Sequence, residues 1–208
     1  MNLLTIARRT LALLGLSLAL SAHAADASAP DTLIRQLSIE TIEAVKADKA
    51  IQAGDVSKIV ALVESKILPH VDFQRMTASA VGRFWRQATP EQQTRLQAEF
   101  KTLLMRTYAG ALSQVKDQSI GMKPLRAQAG DPEVVVRTEI RGKGDPVQLD
   151  YRLAKMGDVW KIYDVNVLGI WLGDQYRNSF AQEIGVNGID GLIKSLADKN
   201  AKAAGGKA

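Results

Sequence analysis

The hydrophobic repeat of this chain changes once, near Ser119, from a period of about 3.6 residues to a period of two. That change fixes the order of the fold: helices first, strands after. Asp31 opens a pattern with Ile34, Leu37, Ile42 and Val45, which predicts an amphipathic helix ending near Gln52-Ala53-Gly54. Asp55 caps a second helix with Val56, Ile59, Val60, Val63 and Ile67 on one face, stopped by Pro69. Asp72 caps a third, through about Val81. Thr89-Pro90-Glu91-Gln92 is a capping box with proline at the first helical position. The long helix it opens carries Leu96, Phe100, Leu103, Leu104, Tyr108, Ala111, Leu112 and Val115 as one stripe, which should organise the core.

Beyond Ser119, Val134, Val136, Thr138 and Ile140 alternate with Val135, Arg137 and Glu139. Val147, Leu149, Tyr151 and Leu153 alternate likewise with Gln148, Asp150 and Arg152. Turn residues at Gly130-Asp131-Pro132, at Gly142 through Pro146 and at Met156-Gly157-Asp158 separate four runs too closely for crossover helices, so the strands form an antiparallel meander. The last run, Val159 to Val167, is apolar on both faces and predicts a central or curved strand. Gly188 to Leu196 reads as a last short helix, and residues 201–208 as a disordered tail of small residues. The fold class expected is α+β, with helices packed on one face of a twisted antiparallel four-stranded sheet.

The first 24 residues bear on the compartment. Arg8 and Arg9 precede an apolar run from Leu11 to Leu20, and Ala22-His23-Ala24 offers small residues at the two positions that a signal peptidase reads. The run is about half the length that spans a bilayer, so residues 1–24 read as an export signal and residues 25–200 as one domain. Cleavage there would remove two arginines and no acid, lowering the net charge from +5 to +3 and leaving His70 as the one imidazole. The chain has no cysteine. Disulfides, thiolate nucleophiles and a lipid-modified cysteine are thereby excluded, and an exported product must be held together by packing alone.

Motifs that carry chemistry are scarce. There is no Gly-x-Ser-x-Gly elbow, phosphate loop, dinucleotide fingerprint or His-rich metal spacing. His70 and Asp72 sit at a helix junction, where a hydrogen-bonded histidine and a helix cap are the plainer readings. Asp164 and Asn166, among apolar strand residues, suit a buried polar pair. Arg83-Phe84-Trp85-Arg86 mixes cations with aromatics; an exported chain has no nucleic acid to meet, so the segment reads as a helix end or as a lip for anionic phosphate.

Several segments together carry a resemblance. Ile67 through Phe73, Val81 through Trp85, Ala88 through Gln92, Phe100 through Tyr108, Trp160 through Val165 and Gly188 through Leu192 resemble, in the same order, the MlaC (toluene-tolerance) family of periplasmic phospholipid carriers. The resemblance spans roughly Asp31 to Leu196. It implies a monomeric periplasmic shuttle with phospholipid as cargo, no cofactor and no catalytic residues. It also implies two partners: an outer-membrane lipoprotein–porin complex, and an inner-membrane ABC transporter complex with its substrate-binding subunit. The transport would maintain outer-membrane lipid asymmetry. The acyl chains would occupy an apolar pocket between sheet and helices.

For the pocket wall, the stripe of the long helix and one face of three strands select Leu104, Tyr108, Val136, Leu149, Tyr151, Trp160 and Ile162. By sequence these residues look the same as an ordinary core. One departure stands out: the family commonly reads Glu-Gly-Val-Ser after the last strand, and this chain reads Leu168-Gly169-Ile170-Trp171. Arg83, Arg86 and Trp171 are therefore the candidates for the pocket mouth or a partner contact. The other readings are a carrier of a different apolar molecule, a carboxylate-dependent hydrolase, and a protein-binding module with a filled core.

Overall fold

The computed structural model describes residues 29–128 and 130–205, with side chains described to residue 203. The predicted export signal lies outside these residues. The helical half comprises α1 (Pro30–Ala47), α2 (Lys49–Gln52), α3 (Val56–Leu62), α4 (Phe73–Val81) and α5 (Pro90–Ser113). The strands β1 (Ser119–Met122), β2 (Glu133–Gly142), β3 (Gly144–Met156), β4 (Val159–Val167) and β5 (Ile170–Trp171) follow, and α6 (Leu172–Gly205) ends the described chain.

The caps are those the sequence predicts. Asp55 accepts from the amides of Ser57 and Lys58, Asp72 from that of Arg75, and Thr89 and Gln92 close a reciprocal capping box. Two boundaries differ. The first helix breaks at Asp48, whose carboxylate accepts from the amides of Ala50 and Ile51 and so starts α2 early. Pro69 does not stop the second helix alone: the chain passes through a π-helical turn (Val63–Ile67) and a 3-10 turn (Leu68–His70) that takes the proline in its first turn. Arg83 and Arg86 lie on a further 3-10 stretch, Gly82–Gln87.

The sheet is an antiparallel meander in the order β1-β2-β3-β4-β5. Five strands replace the predicted four, because Ile170 and Trp171 turn back to pair with Val167 and Asn166. The predicted short last helix is also corrected. α6 runs from Leu172 through a kink at Gly188, where φ is 70°, and buries Phe180, Ile184, Leu192, Ile193 and Leu196. It continues to Gly205, so residues 201–205, expected to be disordered, are helical. The alanines and lysines there are good helix formers. α1 packs on β1 and β2, α4 and α6 on β4, and α5 chiefly on α6, α3 and α4.

Candidate functional site

Strand register brings the predicted sheet residues together. Val134, Val136 and Thr138 of β2 lie opposite Leu153, Tyr151 and Leu149 of β3, which in turn lie opposite Ile162, Val165 and Val167 of β4. Paired residues share a face, so Val136, Leu149, Tyr151 and Ile162 all point toward the helices, with Trp160 two residues before Ile162 on the same side. The two-faced apolar pattern of β4 has a local cause. Ile162 pairs with Leu153 and Asp164 with Arg152, leaving Tyr163 as an extra, bulged residue. The bulge shifts the alternation by one, so Val165 and Val167 join Trp160 and Ile162 on the inner face.

The apolar interior is divided into three clusters. One is formed by α4, α5 and α6 around Phe100, whose ring lies 5.0 and 5.3 Å from those of Tyr176 and Phe180. The second joins Leu33, Ile34 and Leu37 of α1 to Val134, Val136, Leu153 and Ile162. The third holds Val45, Ile51, Ile59 and Ala109. Val71 and Val165 pack against both the first and the second, so these two are joined.

The predicted wall divides accordingly. Val136 and Ile162 are 1% and 2% exposed inside the second cluster, and Leu104 is buried in the first; these are packed positions. Tyr108, Leu149, Tyr151 and Trp160 are half-buried. Val165, absent from the predicted set, touches both the first and second clusters, and Leu103 and Val167 are half-buried against the first. Desolvation pushes the Tyr151 hydroxyl up to about 12, with the Ser38 hydroxyl acting in the opposite direction.

The other face of the sheet is polar, and a network of charged and aromatic groups runs along β4. The Asp164 carboxylate is buried; it accepts from Arg152 Nη1 at 2.9 Å, from its neighbour's amide at Val165, and from the Gly173 amide at 3.1 Å. Gly173 lies in the first turn of α6, where a negative charge is favourable. A Cβ there would come within 3.2 Å of Asp164 Oδ2, so glycine permits the approach. Burial raises the Asp164 pKa, against the Gly173 amide and Arg152, which lower it. Asn166 accepts from the Gly169 amide, so the two buried polar residues each hold a backbone group rather than each other.

Trp171 lies on this outer side, its ring 3.9 Å from the Arg152 guanidinium carbon. It therefore faces away from the predicted wall. Further along, Arg75 stacks 3.6 Å over Tyr163 and meets Glu133 at 2.6 Å, while the Tyr163 hydroxyl donates to the same carboxylate. Arg75, then Tyr163, hold the Glu133 carboxyl below its ordinary range. Nothing in the sequence spacing links these residues; only register and the bulge bring them together.

Arg83 and Arg86 are exposed on the 3-10 stretch, and Arg83 lies over Phe84 at 4.9 Å. Their neighbours Phe84 and Trp85 are half-buried against the first cluster. A concavity of about 560 Å³ on the outer side is lined by Lys123, Arg126, Arg137, Glu139, Gln148 and Asp150 among others, and one of about 480 Å³ lies along α6 between Glu183 and Lys202. Both are lined largely by charged and polar residues, and neither includes a predicted wall residue. Among the described residues no group of His, Asp or Glu is placed to hold a metal ion, and no helix is long and apolar enough to cross a membrane.

Comparison with known proteins gives a consistent result. The family described as MlaC protein matches residues 35–198. The toluene tolerance protein ttg2D of Pseudomonas putida is 29% identical over 180 residues, covering 85% of this chain and 84% of the relative. The intermembrane phospholipid transport system binding protein MlaC of Haemophilus influenzae is 22% identical over 173 residues, covering 81% of each. A phospholipid-binding protein from Ralstonia solanacearum, solved in complex with a phospholipid, superposes with a TM-score of 0.83 at 43% identity over 85% of this chain and 99% of that one.

Proposed function

Because the chain belongs to the MlaC family, we propose that it binds phospholipid and carries it through the periplasm between an outer-membrane lipoprotein–porin complex and an inner-membrane ABC transporter. The acyl chains lie between the inner face of the sheet and the helices, against Tyr108, Leu149, Tyr151, Trp160, Val165 and Val167. The observation that carries this reading is the inner face of the sheet, where the apolar side chains of Leu149, Tyr151, Trp160, Val165 and Val167 line up in register and are only half-buried. Two acyl chains expose several hundred Å² of apolar surface, worth on the order of 10 kcal/mol at about 25 cal/mol per Å². A carrier needs that space and no reacting groups. The solved relative with a bound phospholipid supports the same cargo class.

Arg83 and Arg86 are proposed to meet acidic groups of the membrane complexes, as two exposed cations on the helical layer. Mass spectrometry of an organic extract of native protein, never exposed to detergent, should find phospholipid in stoichiometric amount. The double substitution Arg83→Glu, Arg86→Glu should keep that lipid and slow its transfer to the complexes by roughly tenfold at low salt. Lipid-free native protein would contradict the carrier, and transfer by the double variant at the wild-type rate would remove the arginines from docking.

A further inference from the structure

The concavity of about 560 Å³ on the outer face of the sheet has unbalanced charges. Register decides which groups meet there. The Lys123 amide donates to the Arg137 carbonyl at 2.9 Å, which extends the pairing of β1 by one residue, and Arg137 lies opposite Asp150. Paired residues share a face, so Lys123, Arg137 and Asp150 stand in one row across the sheet. The next row on that face places Glu139 between Gly121 and Gln148. Arg126 joins them from the segment that follows β1.

Both carboxylates are already satisfied within the fold. Asp150, 4% exposed, accepts from the Thr138 amide at 3.1 Å and from Gln148 Nε2 at 2.6 Å. Glu139 forms ion pairs with Lys123 and with Arg141, the latter at 2.5 Å. Gly121 makes room for the second pair: a Cβ there would come within 2.7 Å of Arg141 Cζ, so only a residue without a side chain lets the guanidinium lie across β1 beside Glu139. The cations are not satisfied in the same way. Arg126 and Arg137 are exposed and, among the described residues, neither forms an ion pair. Lys123, Arg126, Arg137 and Arg141 thus face Glu139 and Asp150 with two positive charges left over and a surplus of N–H donors. Like charges gathered in a concave wall raise the local potential and draw acidic groups toward it.

We infer that this concavity docks an acidic, extended segment of a partner protein. The shape and spacing select that occupant. A bilayer is planar on the scale of the molecule and cannot set its phosphates into a hollow. A single small anion is too short: Arg137 and Arg141 are four residues apart on one strand, about 13 Å at roughly 3.4 Å per residue. An extended segment presents every second side chain on one side, about 7 Å apart, so successive Asp or Glu carboxylates meet the guanidinium groups along β2 in turn. The sheet separates this surface from the inner face, so a segment held here leaves the cargo in place. The inference goes beyond the carrier reading and stands independently of it.

The test titrates isotope-labelled native protein with a peptide alternating Glu and Ser, and with a control alternating Gln and Ser. Amide signals of Lys123, Arg126, Arg137 and Gln148 should shift with the Glu peptide alone, while those of Arg83 and Arg86 stay fixed. Affinity should fall as salt rises, and should fall roughly tenfold in the double variant Arg126→Gln, Arg137→Gln. Both arginines are exposed, so that variant should melt with the wild type and keep its copurified lipid. Equal binding of the two peptides, shifts confined to other surfaces, or unchanged affinity in the folded double variant would overturn the inference. So would failure to bind the Glu peptide alongside arginine-dependent binding of phosphatidylglycerol vesicles or of inorganic phosphate, since either result assigns the hollow to a lipid surface or to a small anion. Lipid-free wild-type protein would instead sink the carrier reading, which the titration does not measure.

Discussion

Leu149→Arg is expected to yield a folded protein depleted of lipid, whereas Val136→Arg is expected not to fold. The two residues lie on one face of adjacent strands, and the sequence pattern treats them alike. Their surroundings differ. Val136 is enclosed by α1 and its strand neighbours at 1% exposure, so an arginine there has no route to water and its charge stays buried at a cost of several kcal/mol. Leu149 is half-buried near the end where the apolar face emerges, and a long side chain can carry its guanidinium to solvent. Urea unfolding should show a loss of under about 2 kcal/mol for Leu149→Arg, and extraction should find little or no phospholipid. Loss of more than about 4 kcal/mol would mark position 149 as packed core, and full lipid content would remove it from the wall.

Asp164→Ala should cost about 3 kcal/mol, the lower end for breaking a buried ion pair, because Arg152 keeps a third of its side-chain surface in water. The carboxylate holds three elements at once: Arg152 of β3, its own strand, and the first turn of α6 through Gly173. Asp164→Asn retains one acceptor oxygen for the Gly173 amide and should lose distinctly less. Chemical denaturation of the two variants separates these contributions. If alanine unfolds within about 0.5 kcal/mol of the native chain, the level of an ordinary surface substitution, Asp164 is not the anchor of α6.

Much of this architecture is legible before any coordinates. Caps at Asp55, Asp72 and Thr89 are local chemistry, satisfied within three residues, and alternation in β2 and β3 reports a face that truly is half-buried. What escapes is set by register and by contacts distant in sequence. The bulge at Tyr163 appears in sequence only as a strand apolar on both sides, and one inserted residue decides which side Val165 and Val167 take. α6 is misjudged because its glycines resemble boundaries, although only Gly188 leaves helical geometry. The place of Trp171 after the last strand does not say which face it takes; pairing with Asn166 puts it on the outer side over Arg152. The sheet residues chosen for the wall do share one face. Which of them are fully packed and which are half-buried depends on how the helices stand over the sheet, and alternation carries no information about that.

The central claim, that phospholipid acyl chains lie on the inner face of the sheet, is tested most directly by photocrosslinking in living cells. A benzophenone amino acid is placed in turn at Leu149, half-buried on the inner face, and at Arg137, exposed on the outer face of β2. After irradiation, mass spectrometry of the purified protein should find a phospholipid adduct at position 149 and none at position 137. An adduct at 137 with none at 149, or no lipid adduct at either position in folded protein, would contradict the account.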